Sequence, residues 1–202
     1  SQVSITVQDV PNWMYLSVHG AAEIRKDMRD EDVMRFRRDD QGAVIDTSLV
    51  KFFDGNMFFK SNESLDAVEV LDFDGGGSLD LIFSVRSKAN IKLQPGLEIL
   101  PGDLAIYYPA RTTNKFEKFL DGSKTFKSYK GNREKEDKDR KDDDYKEFKE
   151  SRENIDGAAV YRSGSGWKVA LTTTSDAQVG SFRFDRNDVV EFDYSPSTKT
   201  LT

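Results

Sequence analysis

Short runs of β-branched and aromatic residues, each bounded by glycine, proline, asparagine or aspartate, are the feature that most limits what this chain can fold into. Runs of this kind are typical of β-strands, and the residues between them are typical of turns. The sequence therefore predicts an all-β fold, mainly an antiparallel β-sandwich or barrel. The candidate strands are residues 3–7, 13–18, 33–37, 43–46, 49–53, 57–60, 67–73, 79–86, 91–93, 104–108, 158–162, 167–174, 180–184 and 189–194.

Four links between candidate strands have the length of hairpin turns. They are residues 39–42 (DDQG), 54–56 (DGN), 163–166 (SGSG) and 185–188 (DRND). Because such short links join neighbouring strands that run in opposite directions, we expect antiparallel meanders. The stretch from residue 158 to residue 194 is expected to form one of them.

Helical signals are few. Residues 21–32 place Ile24 and Met28 four positions apart, on one face of a helix, so we predict one short helix there. Repeats of about 20 to 50 residues, which are the mark of solenoids and propellers, are not visible. The sequence therefore argues against both of those architectures.

Charge is concentrated in residues 132–154, where 18 of 23 side chains are charged, 8 of them basic and 10 acidic. Mixed signs at helical spacing favour a solvated, partly helical insertion or arm. The predicted organisation is a single β-rich domain, formed by residues 1–131 and 155–202, that this arm interrupts. Only Tyr145 and Phe148 offer the arm apolar surface, too little to offset the entropy of ordering it, so we expect these two residues to bind a partner.

Several classes of enzyme require residues that the chain lacks. It has no cysteine, which removes disulfides, thiolate metal sites and cysteine nucleophiles. His19 is the one imidazole, and no Gly-x-Ser-x-Gly elbow accompanies it. Residues 122–125 (GSKT) end like a phosphate-binding loop, but Glu117 stands where that loop needs its first glycine. The sequence therefore predicts a protein that is not an enzyme.

The balance of charge argues against nucleic acid as a partner. With 30 basic and 36 acidic residues the formal net charge is −6, so phosphate attraction gives no general affinity. Residues 115–130 interleave lysines with aromatics, as single-strand binders do, although an amphipathic strand edge explains them better. No apolar run approaches the roughly 18 residues of a membrane-spanning helix, so no membrane span is expected. The compartment stays open.

The sharpest local pattern is residues 72–81, DFDGGGSLDL, between two candidate strands. Calcium takes about six to eight oxygen ligands, and carboxylates at alternate positions of a glycine-rich loop can converge on one ion. Asp72, Asp74 and Asp80 stand at positions 1, 3 and 9 of such a loop. The alternative interpretation is a flexible glycine-rich hairpin turn whose aspartates are incidental.

This pattern resembles the calcium loop of FG-GAP and related integrin-type propeller repeats, which runs D-x-D-G-D-G-x-x-D-L. The resemblance implies calcium ligands at Asp72, Asp74 and Asp80. The chain departs from the family pattern at Gly76, where the family has an acidic ligand. The resemblance covers ten residues in a single copy, so it implies nothing about the global fold. Calcium is the one cofactor that the sequence suggests.

Two functions fit these observations. The leading hypothesis is a non-enzymatic structural or assembly protein, for example a virion component such as a capsid, decoration or tail protein, whose arm contacts itself or other structural subunits. Such a protein would reside in a virion or in the cytoplasm. The alternative is a calcium-dependent binding or adhesion module that recognises a glycan or a protein through tryptophan-lined surfaces, with Asp72, Asp74 and Asp80 as its calcium ligands.

Overall fold

A computed structural model describes residues 13–17, 29–39, 41, 43–60, 63–126 and 154–202. Within these ranges the chain forms fifteen strands and two one-turn helices. The helices are α1 (Gly55–Phe58) and α2 (Gly122–Thr125). The strands are β1 (Trp13–Ser17), β2 (Val33–Arg38), β3 (Val44–Phe53), β4 (Leu65–Leu71), β5 (Asp80–Val85), β6 (Ala89–Asn90), β7 (Glu98–Ile99), β8 (Leu104–Tyr107), β9 (Phe116–Leu120), β10 (Ile155–Ser163), β11 (Gly166–Thr173), β12 (Ala177–Val179), β13 (Phe182–Phe184), β14 (Val190–Ser195) and β15 (Thr200–Leu201).

The predicted all-β fold is confirmed, because every strand pair in the described ranges is antiparallel. Two of the predicted hairpins are confirmed as well. The link at residues 39–42 joins β2 to β3, and the link at residues 163–166 joins β10 to β11. Short polar links between apolar runs therefore identified neighbouring strands correctly at these two places.

The hairpins predicted at residues 54–56 and 185–188 are wrong. The first link leads into α1, so the strand predicted at residues 57–60 is replaced by this helix and by a single bridge from Phe59 to Ile91. The second link is a turn after β13, whose partner is β12 and not β14. Asp-Gly and Asp-x-x-Asp sequences favour many tight backbone turns, and they do not by themselves specify a hairpin.

Several predicted segments lie outside the described residues. Of the helix predicted at residues 21–32, only residues 29–32 are described, and they form a turn. Residues 132–153 of the arm, with Tyr145 and Phe148, also lie outside. The division of the chain into a body and an arm therefore stays a prediction.

Three larger sheets organise the described chain. The first has the strand order β1-β2-β3, the second β4-β5-β8-β9 and the third β10-β11-β14-β15. Two short ribbons, β6-β7 and β12-β13, lie between the hairpins along the chain. The second and third sheets are each made of two hairpins joined edge to edge, through β5 with β8 and through β11 with β14.

The second sheet is buried on both faces, so it separates two apolar clusters. Along β8, Ala105 and Tyr107 belong to the cluster that the second sheet shares with the first, which also contains Val33 and Phe53. Leu104 and Ile106 alternate with them and belong to the cluster shared with the third sheet. Because successive side chains of a strand point to opposite faces, one strand contributes to both clusters.

The structure contains an internal duplication. In the first copy, β2 and β3 lead into α1, which is followed by the hairpin β4-β5 and the ribbon β6-β7. In the second copy, β8 and β9 lead into α2, which is followed by the hairpin β10-β11 and the ribbon β12-β13. The chain enters each helix through the same pattern, Lys-Phe-apolar-Asp-Gly, at residues 51–55 (KFFDG) and 118–122 (KFLDG). The two copies of this pattern are farther apart in the sequence than the period of about 20 to 50 residues that marks solenoids and propellers.

A buried aspartate anchors the first copy where β2 begins. Asp32 is 0% exposed. Its Oδ1 accepts a hydrogen bond from Gly55 N at 3.0 Å, and Lys51 Nζ lies 2.9 Å from its Oδ2. The Arg29 N–H also donates to Oδ2, at 3.0 Å. The carboxylate thereby ties together a turn, the end of β3 and the start of α1.

Asp103 repeats this arrangement where β8 begins. It is 1% exposed, and its Oδ1 accepts from Gly122 N at 2.9 Å. Its Oδ2 accepts from Leu100 N at 2.9 Å and lies 2.8 Å from Lys118 Nζ. The same three segments of the second copy are therefore held by one carboxylate in the same way.

Glycine is required at the start of both helices because the backbones approach closely there. A Cβ on Gly55 would lie 2.3 Å from the carbonyl oxygen of Glu31, and a Cβ on Gly122 would lie 2.2 Å from that of Gly102. Both oxygens belong to the residue that precedes the buried aspartate. No side chain fits between the helix and that turn.

We predict that Gly122→Ala lowers the free energy of unfolding by about 1 to 3 kcal/mol, the usual cost of overpacking a rigid site. Chemical denaturation followed by circular dichroism measures this change. Gly166→Ala is the matched control, since a Cβ there would meet its nearest atom, Ser163 O, at an ordinary 3.7 Å. Equal stability of the two variants would contradict the close approach.

Candidate functional site

The carboxylates that the sequence singled out lie in the loop between β4 and β5. The loop is closed by the cross-strand pair of Leu71 with Asp80. Gly75 and Gly77 have φ angles of 76° and 79°, in the left-handed region that glycine adopts without strain. The glycine-rich sequence is therefore used to turn the chain sharply.

Each of the three aspartates accepts a backbone hydrogen bond inside the loop. Asp72 Oδ2 accepts from Gly77 N at 2.9 Å, and Asp74 Oδ1 accepts from Gly76 N at 2.9 Å. Asp80 Oδ2 accepts from Phe73 N at 3.1 Å. Among the described residues, no lysine forms an ion pair with these carboxylates, in contrast to Asp32 and Asp103.

The loop brings the three carboxylates together. One oxygen from each of Asp72, Asp74 and Asp80 lies within 4.8 Å of the other two. Asp80 is 2% exposed, whereas Asp74 is exposed. Asp72 Oδ1 is buried and has no hydrogen-bond partner in the described part of the chain. Negative charge is thus concentrated at a site that is partly closed to water.

The surroundings of Asp80 oppose its ionisation. Burial raises the pKa of its carboxyl above the ordinary value of 3.8, and the charges of Asp74 and Asp72 raise it further. Hydrogen bonds from the backbone of Phe73 and Asp74 act in the opposite direction but do not compensate. A carboxylate in this position is stabilised when a cation binds beside it.

Arg111 is a positively charged residue beside the loop that the sequence does not indicate. Its Nη2 lies 3.9 Å from Asp74 Oδ2, and its Nη1 donates to Glu117 Oε1 at 2.5 Å. Its guanidinium lies 3.3 Å from the ring centre of Tyr108. Arg111 follows β8, which only the pairing of β5 with β8 brings near the loop, so no local sequence signal could have indicated it.

Phe73 fixes the loop to the protein interior. Its ring lies 4.5 Å from that of Trp167 and 5.2 Å from that of Phe119, measured between ring centres. Phe119 belongs to the cluster between the second and third sheets, and the partly buried Trp167 packs against that cluster. The carboxylate site is therefore attached to a packed element, although it is formed by a loop.

The tryptophans do not form an open surface for a glycan. The guanidinium groups of Arg35 and Arg37 lie 4.8 and 4.6 Å from the ring centre of Trp13. Trp167 packs against Phe73 on one side, and the guanidinium of Arg162 lies 4.7 Å from its ring. Both indole rings are occupied by contacts within the chain.

The remaining sites considered in the sequence are either buried or not described. Phe116 and Phe119, which could have stacked on bases, are 1% and 2% exposed and belong to the apolar clusters. His19, Tyr145 and Phe148 lie outside the described residues. Within the described ranges, the three aspartates are the one group of acidic side chains with the spacing of a metal site.

The chain matches no protein-family model, no curated protein and no solved structure. Among the described residues, no helix is long and apolar enough to cross a membrane.

We predict that ionisation of Asp80 costs the folded protein stability when no cation is bound. The folded state binds the proton of the Asp80 carboxyl more tightly than the unfolded chain does. The protonated carboxyl therefore stabilises the folded state at low pH, and this stabilisation is lost as the pH rises above 3.8 through the raised pKa. As the pH rises, the unfolding free energy of the wild type should fall relative to that of Asp80→Asn. The fall should be about 1.4 kcal/mol for each tenfold difference in the proton affinity of Asp80 between the folded and the unfolded state.

Denaturation from about pH 3.5 to about pH 7 in a chelator measures that difference. Asp156→Asn, at an exposed position of β10, is the control for the loss of one acidic side chain. A wild type that gains stability over Asp80→Asn as the pH rises would show that the pKa is lowered and not raised.

Proposed function

We propose that this chain is a non-enzymatic, calcium-dependent binding module, in which calcium fixes the loop between β4 and β5. The observation that carries the proposal is the convergence of carboxylate oxygens from Asp72, Asp74 and Asp80 within 4.8 Å. The buried, unpartnered Asp72 Oδ1 supports it, because a buried oxygen without a donor is costly unless a cation satisfies it.

The ligand set favours calcium over magnesium. Calcium binds in flexible geometry to about six to eight oxygens, at about 2.3 to 2.6 Å, and carboxylates from one loop commonly supply several of them. Magnesium needs a strict octahedron at about 2.0 to 2.1 Å, and it usually keeps several waters and takes only one or two carboxylates. The three aspartates would supply part of the coordination, and backbone carbonyls or water the rest.

The bound ion would supply positive charge to a loop that has too little of its own. It would allow Asp80 to ionise while buried, and it would relieve the repulsion among the three carboxylates. The exposed part of the loop, from Asp74 to Gly77, would then be held in one conformation. A loop ordered in this way can present its backbone to a protein or glycan partner.

We predict that calcium raises the melting temperature of the wild type and releases or absorbs heat on binding. At a calcium concentration of about ten times the dissociation constant the stabilisation is about 1.4 kcal/mol, because the ion binds only the native state. For a chain of this size that corresponds to a shift of about 3 to 6 °C. Calorimetric titration and thermal denaturation measure the two quantities.

Asp72→Asn and Asp80→Asn should abolish both effects, and Asp156→Asn should retain them. Magnesium at the same concentration should give a smaller shift than calcium. If calcium at millimolar concentration leaves the wild type unchanged, or if the three variants respond alike, the loop is a glycine-rich turn and the proposal is wrong.

A second candidate function is that of a structural or assembly protein, for example a virion component. Exposed apolar side chains on neighbouring segments favour it, because such side chains are enriched where subunits meet. Met57 and Leu93 are 63% and 68% exposed. Lys92 holds their segments together, since its N–H donates to Phe58 O at 2.7 Å and its Nζ to Asn56 O at 2.6 Å.

We predict that deleting residues 133–153 leaves the β-rich body folded, with its melting temperature little changed, but impairs assembly. The reason is that a segment so rich in charge offers the body almost no apolar surface. Light scattering and electron microscopy of wild type and deletion variant measure assembly. Because exposed ion pairs are screened within about 8 to 10 Å at ordinary ionic strength, assembly of the wild type should also weaken in high salt.

A deletion variant that assembles normally would contradict the role of the arm. A wild type that stays a monodisperse monomer at high concentration would contradict the assembly function itself. Neither result bears on the calcium site, which is tested separately above.

A further inference from the structure

The guanidinium of Arg111 is held in place by contacts that do not involve the carboxylate loop. It lies 3.3 Å from the ring centre of Tyr108, and its Nη1 donates to Glu117 Oε1 at 2.5 Å. Tyr108 is 5% exposed and belongs to the cluster between the second and third sheets. The backbone is closed here as well, because the Tyr108 N–H donates to Lys115 O at 2.7 Å. The position of the Arg111 charge is therefore set by a packed ring and by a neighbouring strand.

Towards the loop, Arg111 forms an ion pair but no hydrogen bond. Its Nη2 lies 3.9 Å from Asp74 Oδ2, beyond the limit of about 3.2 Å for an N–H···O hydrogen bond. Asp74 Oδ1 accepts from Gly76 N at 2.9 Å. In the part of the chain that the structure describes, no other basic side chain forms an ion pair with Asp72, Asp74 or Asp80. Arg111 is thus a positive charge that lies beside the site without occupying it.

The attraction between Arg111 and the loop depends on whether the loop holds an ion. With its three carboxylates ionised, the empty loop has a charge of −3, and one bound calcium ion changes this to −3 + 2 = −1. Because the attraction is proportional to the product of the charges, Arg111 stabilises the empty loop more than the loaded loop. A group that stabilises the empty state more than the loaded state lowers the affinity for the ion.

Glu117 acts on the same equilibrium with the opposite sign. Its negative charge repels the empty loop more than the loaded loop, so it favours the loaded state. Its hydrogen bond to Nη1 also restrains Arg111 from closing onto Asp74 Oδ2. Lys199 Nζ lies 3.5 Å from Glu117 Oε2, so the Glu117 carboxylate has a second basic neighbour, from the turn after β14. Glu117 therefore limits the competition between Arg111 and an ion.

We propose that Arg111 is a built-in competitor of calcium, which neutralises Asp74 in the empty protein and thereby lowers the calcium affinity of the loop. Glu117 sets how strongly Arg111 competes. Neither side chain ligates the ion, and both act through the charge that they place beside Asp74. The inference rests on the calcium-dependent function proposed above and names the residues that regulate it.

Calorimetric titration with calcium at about 0.1 M salt tests the proposal, since exposed charges still interact over about 10 Å under this condition. Arg111→Gln should bind calcium about fivefold to tenfold more tightly than the wild type, as expected of a weak coupling between two sites. Glu117→Gln should bind it more weakly. Arg111→Lys keeps the charge, so its affinity should stay close to that of the wild type. A purely structural role of Arg111 would instead weaken binding in both Arg111 variants.

Lys88→Gln is the matched control for the loss of one positive charge. Lys88 forms an ion pair with Glu98 and follows β5 at the end opposite to the loop. The six residues of β5 span about 16 to 20 Å, so this charge is screened from the loop at about 0.1 M salt. Its loss should leave the calcium affinity unchanged. At about 1 M salt, where screening acts within about 3 Å, the gain of Arg111→Gln should shrink.

A second measurement concerns the empty loop alone. In a chelator, Arg111→Gln should unfold at a lower denaturant concentration than the wild type, because the three carboxylates lose their counter-charge. Saturating calcium should reduce this difference, since the ion then supplies the positive charge. In the background of Asp74→Asn, Arg111→Gln should cost less stability than in the wild type, because one of the two carboxylates that Arg111 faces has lost its charge.

The outcomes separate this proposal from the calcium function on which it rests. If calcium binds the wild type and Arg111→Gln binds it equally or more weakly, the competition is overturned and the calcium function stands. Equal gains in Arg111→Gln and Lys88→Gln would show that only the net charge of the protein matters, which also overturns it. If calcium binds neither the wild type nor Arg111→Gln, both proposals are wrong.

Discussion

A buried carboxylate that holds three chain segments is the interaction on which this fold depends. An isolated carboxylate in the interior would cost several kcal/mol, and it is tolerated only when its oxygens are satisfied. Asp32 and Asp103 each accept two backbone N–H groups and face one lysine. Removing one partner of such a pair typically costs about 3 to 5 kcal/mol, which is a large part of the stability of a domain. The positions of both helices and of the strands before them follow from this arrangement.

The same arrangement explains why the second sheet can be buried on both faces. Each aspartate joins the start of a hairpin to the end of the same hairpin, so β8 and β9 are held in register between two layers. The side chains of β8 then alternate between the two apolar clusters. A sheet that is solvated on one face would show polar residues at every second position, and β8, with the sequence LAIY, shows none.

The amino-acid sequence predicts the strands well and the connections less well. Hydrophobic runs and short polar links were sufficient for the hairpins of β2 with β3 and of β10 with β11. The same signals failed at two links. Residues 54–56 lead into α1, and residues 185–188 form a turn between β13 and β14, which do not pair with each other. The spacing of Asp72, Asp74 and Asp80 indicated side chains that the structure brings together. The position of Arg111 beside the loop and the duplicated arrangement of the aspartates depend on contacts between residues that are distant in the sequence. Local sequence patterns do not predict such contacts.

The loop between β4 and β5, which carries the three carboxylates, is linked to the third sheet in two ways of unequal strength. A row of charges runs from Asp74 through Arg111 and Glu117 to Lys199 in the turn between β14 and β15. These side chains are about one-third to two-fifths exposed, and pairs of that kind contribute at most about 1 kcal/mol. Phe73, by contrast, packs on Trp167 and Phe119 in the cluster beneath the third sheet, and aromatic contacts of this kind add about 0.5 to 1.5 kcal/mol each to the burial of the rings. Packing, and not the surface charges, is therefore the stronger physical connection between this loop and the third sheet.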